Sequence, residues 1–295
     1  MDKVLVIIVT YNAHDWIHQC LNSVDMERYD AFVVDNASTD DTLSILHAEY
    51  PKAIVRAMDK NLGFGQANNI GLRYALDNGY DYVFLLNQDA WLLPDTIEKL
   101  IAAQKQHPEY WVLSPLQMNT AQGGVEKQFS VYCTKNKIQL NLDVPQRVDF
   151  VNAALWLMPI ECIKIVGGFD PIFPHYGEDV DYANRVRYWK GCMGIVATSQ
   201  GFHERDVCVN DVIDSKFVDK QIIAAMVYMK DINNVGLIAL LRYSEFLIRK
   251  IIKYLMIKRI DYIRHYDFII KDIFTKRKTI KQHRLLSKTK QSYLV

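Results

Sequence analysis

Val4-Leu5-Val6-Ile7-Ile8-Val9-Thr10-Tyr11-Asn12 opens the chain with an unbroken apolar run that gives way to three residues with polar ends. Six apolar residues are too few for a signal-peptide core and suit a strand buried on both faces. Trp16, Ile17, Cys20, Leu21 and Val24 then recur at helical spacing, residues 31–34 read as a second strand, and Thr39-Asp40-Asp41-Thr42 opens a helix through Leu43, Ile45 and Leu46. The same beat continues with a strand at 53–57, a helix at 65–76 and a strand at 82–86. Strands alternating with helices specify βαβ units, and hence an α/β fold with a parallel sheet. Such sheets bind ligands beyond the carboxyl ends of their strands. Each of these strands runs into a polar segment: Thr10-Tyr11-Asn12, Asp35-Asn36-Ala37-Ser38, Asp59-Lys60-Asn61 and Asn87-Gln88-Asp89. These groups cluster where a nucleotide would lie.

Residues 110–160 read as mixed strands, with β-like stretches at 111–113, 129–133 and 154–158. A short helix from Ile160 leads to Gly167-Gly168-Phe169-Asp170, then to Tyr176-Gly177-Glu178-Asp179-Val180-Asp181 and a helix ending at Trp189. A strand at 193–197 and a loop around His203 close this part. The last eighty residues are helical in pattern. Between Leu240 and Leu255, Arg242, Glu245, Arg249 and Lys253 mark one face, and Leu241, Leu247, Ile248, Ile251, Ile252 and Leu255 line the opposite side. Tyr254, Tyr262, Tyr266 and Phe268 interleave with further basic residues, as suits the headgroup level of a membrane. Packing of the apolar face on the body, or on a twin subunit, is the alternative; a membrane surface is favoured.

The composition (295 residues, 50% apolar, 23% charged) is ordinary globular usage and excludes collagen-like, mucin-like and wholly disordered chains. A net charge of +1 argues against a dedicated nucleic-acid binder, but it conceals a split. Residues 1–215 hold 17 Lys and Arg against 28 Asp and Glu, and residues 216–295 hold 18 against 6. An acidic body thus carries a basic extension, which suggests a polyanionic neighbour. Cys20, Cys133, Cys162, Cys192 and Cys208 are odd in number and contain no C-x-x-C pair, so neither zinc nor a disulfide framework is expected and a reducing cytosol is the natural home. The longest apolar run of the extension, residues 222–229, is far short of the ~20 residues that span a bilayer.

Four constellations could carry chemistry. Asp35 can accept from a pyrimidine N–H or a ribose hydroxyl; Ser38 or Thr39 is better placed to cap the next helix, which leaves Asp35 free. Asp89, with Asn87 two residues before it, comes after a buried strand, and a hard divalent cation takes such oxygens along with waters and substrate phosphates. Taken alone, that pair is as well explained by a turn. Glu178, Asp179 and Asp181 place three carboxylates at a helix start, where they suit the helix dipole or serve as a general base. His203 is either structural or a metal ligand. Gly63-Phe64-Gly65 lacks the third glycine of a dinucleotide fingerprint and any subsequent Gly-Lys-Ser/Thr.

Together, the segments at 6–12, 33–42, 61–71, 85–89, 167–170 and 178–181 resemble the family 2 glycosyltransferases, most of all their rhamnosyltransferase-like branch. The likeness runs over roughly residues 3–205, in the family's order. It implies a GT-A fold, Rossmann-like, with helices on both faces of a mostly parallel sheet. A glycosyltransferase domain would then occupy 1–215, with a nucleotide-binding half at about 1–105 and an acceptor half at about 106–215. Residues 216–295 would form a basic amphipathic helical region at a membrane.

The resemblance also implies inverting transfer from a dTDP- or UDP-sugar to a hydroxyl of a growing, lipid-linked bacterial glycan, at the inner face of the cell membrane, without nucleic acid. Thr10, Tyr11, Asn12, Asp35, Asn61, Gly65 and Asn87 would hold the nucleotide. Asp89, the last residue of the family's Asp-x-Asp, would bind Mg2+ or Mn2+, with His203 as a further ligand. Asp179 matches the catalytic base, and Glu178 would orient the acceptor or the loop. Asn87 stands where the family's first Asp would be, as in the rhamnosyltransferase-type branch. Trp156, Phe173, Tyr176 and Trp189 are candidates for a sugar-facing wall. The rivals are a nucleotidyltransferase, which would need a glycine-rich loop and a Lys or Arg after the first strand, and a degenerate surface module, which would lack Asp89 or Asp179.

Overall fold

The computed structural model describes residues 2–120, 123–204, 215–234 and 236–294. In chain order the elements are β1 (Val4–Thr10), α1 (Ile17–Asn22), β2 (Asp30–Asp35), α2 (Thr42–Glu49), β3 (Ile54–Ala57), α3 (Phe64–Asp77), β4 (Tyr82–Asn87), β5 (Ala90–Leu92), α4 (Thr96–Gln106) and β6 (Tyr110–Met118). They continue with α5 (Lys127–Asn136), β7 (Gln146–Val148), β8 (Leu155–Pro159), α6 (Ile160–Val166), α7 (Glu178–Tyr188), β9 (Cys192–His203), α8 (Ser215–Lys230), α9 (Gly236–Met256) and α10 (Ile260–Leu286).

One sheet runs in the order β3-β2-β1-β4-β8-β6-β9-β5, with β7 also paired to β9. Its first four strands are parallel, as the alternating pattern predicts. Successive residues of β1 point to opposite faces, so Leu5 and Ile7 enter a core beneath α3, α6 and α7, whereas Val4, Val6 and Ile8 enter another beneath α1, α2 and α4. Burial on both faces explains why β1 tolerates no polar residue before Thr10.

Beyond β4 the structure departs from expectation in three places. Residues 129–133 lie within helix α5, because the Glu126 carboxylate accepts the N–H groups of Gln128 (2.9 Å) and Phe129 (2.7 Å) and so caps a helix there. β9 runs through His203 instead of stopping near 197, since it pairs with β6 as far as Met118 and then with β5. The short strands β5 and β7 carry too few residues to show a period. Cys20, Cys133, Cys162 and Cys192 are free thiols, and Cys208 lies outside the described residues.

The helices α8, α9 and α10 form a third core around Phe173, Ile222, Ala225, Met226, Tyr243, Tyr254, Tyr266 and Ile269. Tyr254 and Tyr266, expected at a membrane surface, are buried in it; Tyr266 donates to Gln221 (3.3 Å) and Tyr254 stacks on Tyr262. Leu247 and Ile251 also face this core. Leu241, Ile248, Ile252 and Leu255 remain exposed, so α9 carries an inner and an outer apolar face. Beyond α10 the chain returns to the body, where Leu294 joins the core beneath α3 and α6. No helix among the described residues is long and apolar enough to cross a membrane.

Candidate active site

The carboxyl ends of β1, β2 and β4 are tied together by side chains from the polar segments beyond them. Asp35 is buried, and it is not free: its Oδ1 accepts from Thr10 (3.0 Å) and from the Ser38 hydroxyl (2.6 Å), and its Oδ2 from the Ser38 N–H (3.0 Å). Ser38 therefore serves Asp35 and Asn12, and the start of α2 is met instead by Asp40, whose carboxylate accepts the N–H of Thr42 (3.1 Å). Of the four acceptor sites on a carboxylate, one remains on Oδ2. Ala37 sits at φ +66°, a strained position for alanine that the Asp35–Ser38 bonds enclose.

Around this centre Asn12 receives the N–H of Thr39 on its Oδ1 (2.8 Å), and Asn36 links to Asn61 (2.9 Å) and to the N–H of Leu62 (2.7 Å). Tyr11 is exposed, with its backbone clasped by Gln88 through bonds of 2.7 and 3.3 Å. Thr10 is fully buried and acts through Asp35. An open aromatic ring thus stands beside a buried acceptor, an arrangement suited to a base and a ribose.

Asp89 and His203 meet at the same edge. The pairing of β5 with β9 sets Ala90 opposite His203, and the imidazole Nε2 lies 3.5 Å from Asp89 Oδ1. His203 Nδ1 is 3.0 Å from Gln117 Oε1, while the Gln117 amide donates to Asn152 (2.7 Å). An amide oxygen can only accept, so Nδ1 carries a proton, and Nε2 on the far side of the ring is the nitrogen that faces Asp89. Two residues before Asp89, Asn87 Oδ1 is buried with no hydrogen-bond partner among the described residues. One carboxylate, one imidazole nitrogen and an unsatisfied amide oxygen suit a divalent cation whose remaining ligands come from water and a diphosphate. No cluster of three acidic, His or Cys side chains able to hold a metal occurs among the described residues.

The acidic loop approaches from the other half. Gly63 holds φ +77° with the carbonyl oxygen of Pro174 where a β-carbon would be, at 2.1 Å, so only glycine lets the two halves close here. At Gly65 a β-carbon would touch Phe169 at 2.9 Å and Glu178 at 3.4 Å. Glu178 is buried against this helix start; burial and the adjacent Asp179 push its carboxyl up to about 8. Asp179 is half-buried and accepts the N–H of Val180 (2.8 Å) at the first turn of α7, where the helix dipole favours its charge. Asp181 points inward, to Arg185 and Lys230. Of the proposed aromatic wall, only Tyr176 is exposed. Trp156 and Phe173 are wholly buried and Trp189 packs on the core, so the first two are structural.

The sequence model of "Glycosyl transferase family 2" matches residues 5–149. These residues form a family 2 glycosyltransferase domain. The chain is 27% identical over 216 residues to an N-acetylglucosaminyl-diphospho-decaprenol L-rhamnosyltransferase of Mycobacterium tuberculosis, covering 63% of this chain and 70% of that protein. Among solved structures, TarS 1–349 of S. aureus in complex with UDP-GlcNAc superposes with a TM-score of 0.57 at 19% identity, over 83% of this chain and 71% of that one. The mannosyltransferase PcManGT of Pyrobaculum calidifontis, in complex with GDP-Man and Mn2+, gives 0.55 at 16% identity, over 92% and 75%. The fold is therefore GT-A, and the relatives in sequence include rhamnosyltransferases.

Gln117 and Asn152 complete the site without having been anticipated, whereas Gln88 and Asn36 stood in the polar strand-end segments but were given no role of their own. Gln88 lies between two residues that the Asn-x-Asp spacing does mark. Nothing local marks Gln117, which reaches the site only because β6 and β9 are neighbours.

Proposed function

We propose that this glycosyltransferase inverts configuration as it moves a hexosyl group, L-rhamnose first among candidates, from a nucleotide-diphosphate sugar to a hydroxyl of a growing, lipid-linked surface glycan. The observation that carries this reading is the Asp89–His203 pair, set two residues beyond Asn87, the strand partner of Val9 in β1. It puts a cation-ready edge next to the Thr10–Asp35–Ser38 cluster and the exposed Tyr11.

Tyr11 and Asp35 hold base and ribose, with Asn12, Asn61 and Gly65 shaping the cradle and Asn87 offering an acceptor to the donor. Asp89 and His203 would hold Mg2+ or Mn2+, which when bound neutralises charge on a departing diphosphate. Asp179 takes the proton of the acceptor hydroxyl while that oxygen attacks the anomeric carbon from the face opposite the nucleotide. Glu178, protonated near neutral pH, orients the loop that carries this base.

The outer face of α9 supports a peripheral seat on an anionic cytoplasmic leaflet. There Leu241, Ile248, Ile252 and Leu255 are exposed beside Arg242, Arg249 and Lys253, each basic group worth about 1 kcal/mol near such a surface. Residues 1–215 act as the transferase domain and 216–295 as the membrane-seating extension.

A thermal-shift panel of dTDP, dTDP-rhamnose, UDP and UDP-GlcNAc, with and without Mn2+, tests the donor, because ligands that bind only the folded state raise Tm. A Mn2+-dependent rise with dTDP-rhamnose supports the proposal. A larger rise with UDP-GlcNAc keeps the reaction and changes the sugar, and no rise with any nucleotide overturns it.

A further inference from the structure

Lys230, the last residue of α8, is buried and salt-bridged to two carboxylates of the body at once. Its ammonium lies 2.5 Å from Asp170 and 2.6 Å from Asp181, and it donates to the Ser287 hydroxyl at 2.8 Å. Asp170 ends the Gly-Gly-Phe-Asp segment, and Asp181 sits two residues beyond Asp179. These two acids bracket the acidic loop, and a cation from the C-terminal helices ties them together.

Three further contacts act on the same loop. Arg185 pairs with Asp181 (2.9 Å) and donates to the carbonyl oxygens of Val166 (2.8 Å) and Gly168 (2.6 Å). His283 of α10 reaches Asp170 (2.6 Å), and Ser292 accepts the N–H of Gly168 (2.8 Å). Directly before Glu178, a β-carbon on Gly177 would fall 2.7 Å from Ile223 and 3.2 Å from Val227, both on α8. One face of α8 therefore lies along the loop from its middle to the first turn of α7.

We infer that α8 is a brace for the acidic loop and that Lys230 is its positioning residue, so that the C-terminal helices set the placement of Asp179. Arg185 answers Asp181 and His283 answers Asp170, each on one acid, whereas Lys230 is shared by both and joins them. With Lys230 gone, Asp170 and Asp181 repel, and the loop gains a reason to leave α8. The kinetic part of the inference rests on Asp179 being the base of the proposed transfer; the structural part does not.

The test compares wild type, Lys230→Met and the milder pair Ile223→Ala/Val227→Ala by hydrogen–deuterium exchange and by transfer kinetics. Amides in residues 167–181 should exchange about tenfold faster in Lys230→Met, with residues 4–87 unchanged. Turnover should fall roughly tenfold while KM for the nucleotide sugar stays within about twofold, a split that general destabilisation does not give. Lys230→Arg, which keeps the cation, should restore part of both. Wild-type protection of 167–181 in Lys230→Met overturns the brace, and faster exchange with unchanged turnover overturns the positioning role. If Lys230→Met does not fold, the Ile223→Ala/Val227→Ala protein decides by the same two readouts. If wild type transfers from neither dTDP-rhamnose nor UDP-GlcNAc, the functional proposal fails while the exchange comparison still decides the brace.

Discussion

His203 Nε2 lies 3.5 Å from Asp89 Oδ1, although 113 residues separate the two in the chain. The approach is built by backbone: β5 runs antiparallel to the end of β9, and the N–H of Glu204 donates to the carbonyl oxygen of Asp89 (3.0 Å). A nitrogen beside a carboxylate at a sheet edge would give a divalent cation two fixed ligands, and the ring that would supply the nitrogen is itself fixed by Gln117.

Gln117→Leu should therefore weaken metal binding without touching the nucleotide cradle. Losing the acceptor for Nδ1–H frees the imidazole to take the wrong tautomer, and such outer partners are typically worth about 10–100-fold in metal affinity. Calorimetric titration of dTDP with and without Mn2+ measures this: the Mn2+-dependent gain should shrink by that factor, and binding in EDTA should be unchanged. Equal losses in both conditions would remove His203 from the metal.

Asp179→Asn keeps shape and removes the proton acceptor. Turnover should fall about 10²–10⁴-fold, the usual worth of general-base catalysis, with the nucleotide Kd unchanged. A variant that retains wild-type turnover would refute the assignment of the base.

The nucleotide-binding half was legible because β1, β2 and β4 are buried on both faces and end abruptly: the step from Val9 to Thr10, or from Leu86 to Asn87, marks strand end and ligand edge at once. Residues 129–133 misled because a stretch with Phe129, Val131 and Tyr132 says nothing of the Glu126 side chain that caps a helix there. The C-terminal helices were readable as amphipathic, but an apolar stripe does not name what covers it. Leu247 and Ile251 turned to a protein core, and Ile248 and Ile252, one position on, did not. Lys230 looked like one more charge of a basic region, since its partners Asp170 and Asp181 are joined to it only by tertiary packing.

Gly63→Ala should destabilise the whole domain. Its φ of +77° and ψ of 166° suit glycine almost alone, at a cost of roughly 1–3 kcal/mol for other residues, and the new methyl would meet the Pro174 carbonyl. With roughly 2–4 °C of Tm per kcal/mol in chains of 150–250 residues, calorimetry should show a drop of several degrees. An unchanged Tm would mean that the loop before α3 and the acidic loop are not in contact.

Glu178 makes stability depend on pH with a sign that can be checked. Its carboxyl ionises near 4.5 when unfolded and is pushed up to about 8 when folded, by burial first and by Asp179 second. The folded state therefore keeps a proton that the unfolded state has lost. The stabilisation is present in full below 4.5, declines by up to about 1.4 kcal/mol per pH unit as the pH rises, and is gone above 8. Glu178→Gln cannot ionise and should escape this loss. Melting temperatures of the two proteins between pH 5 and 9 should thus diverge in favour of the glutamine variant as the pH rises, with the gap levelling off above 8. A constant offset across the range would show that Glu178 ionises as an ordinary surface acid, and with it would fall the picture of a protonated side chain wedged between Gly65 and the base.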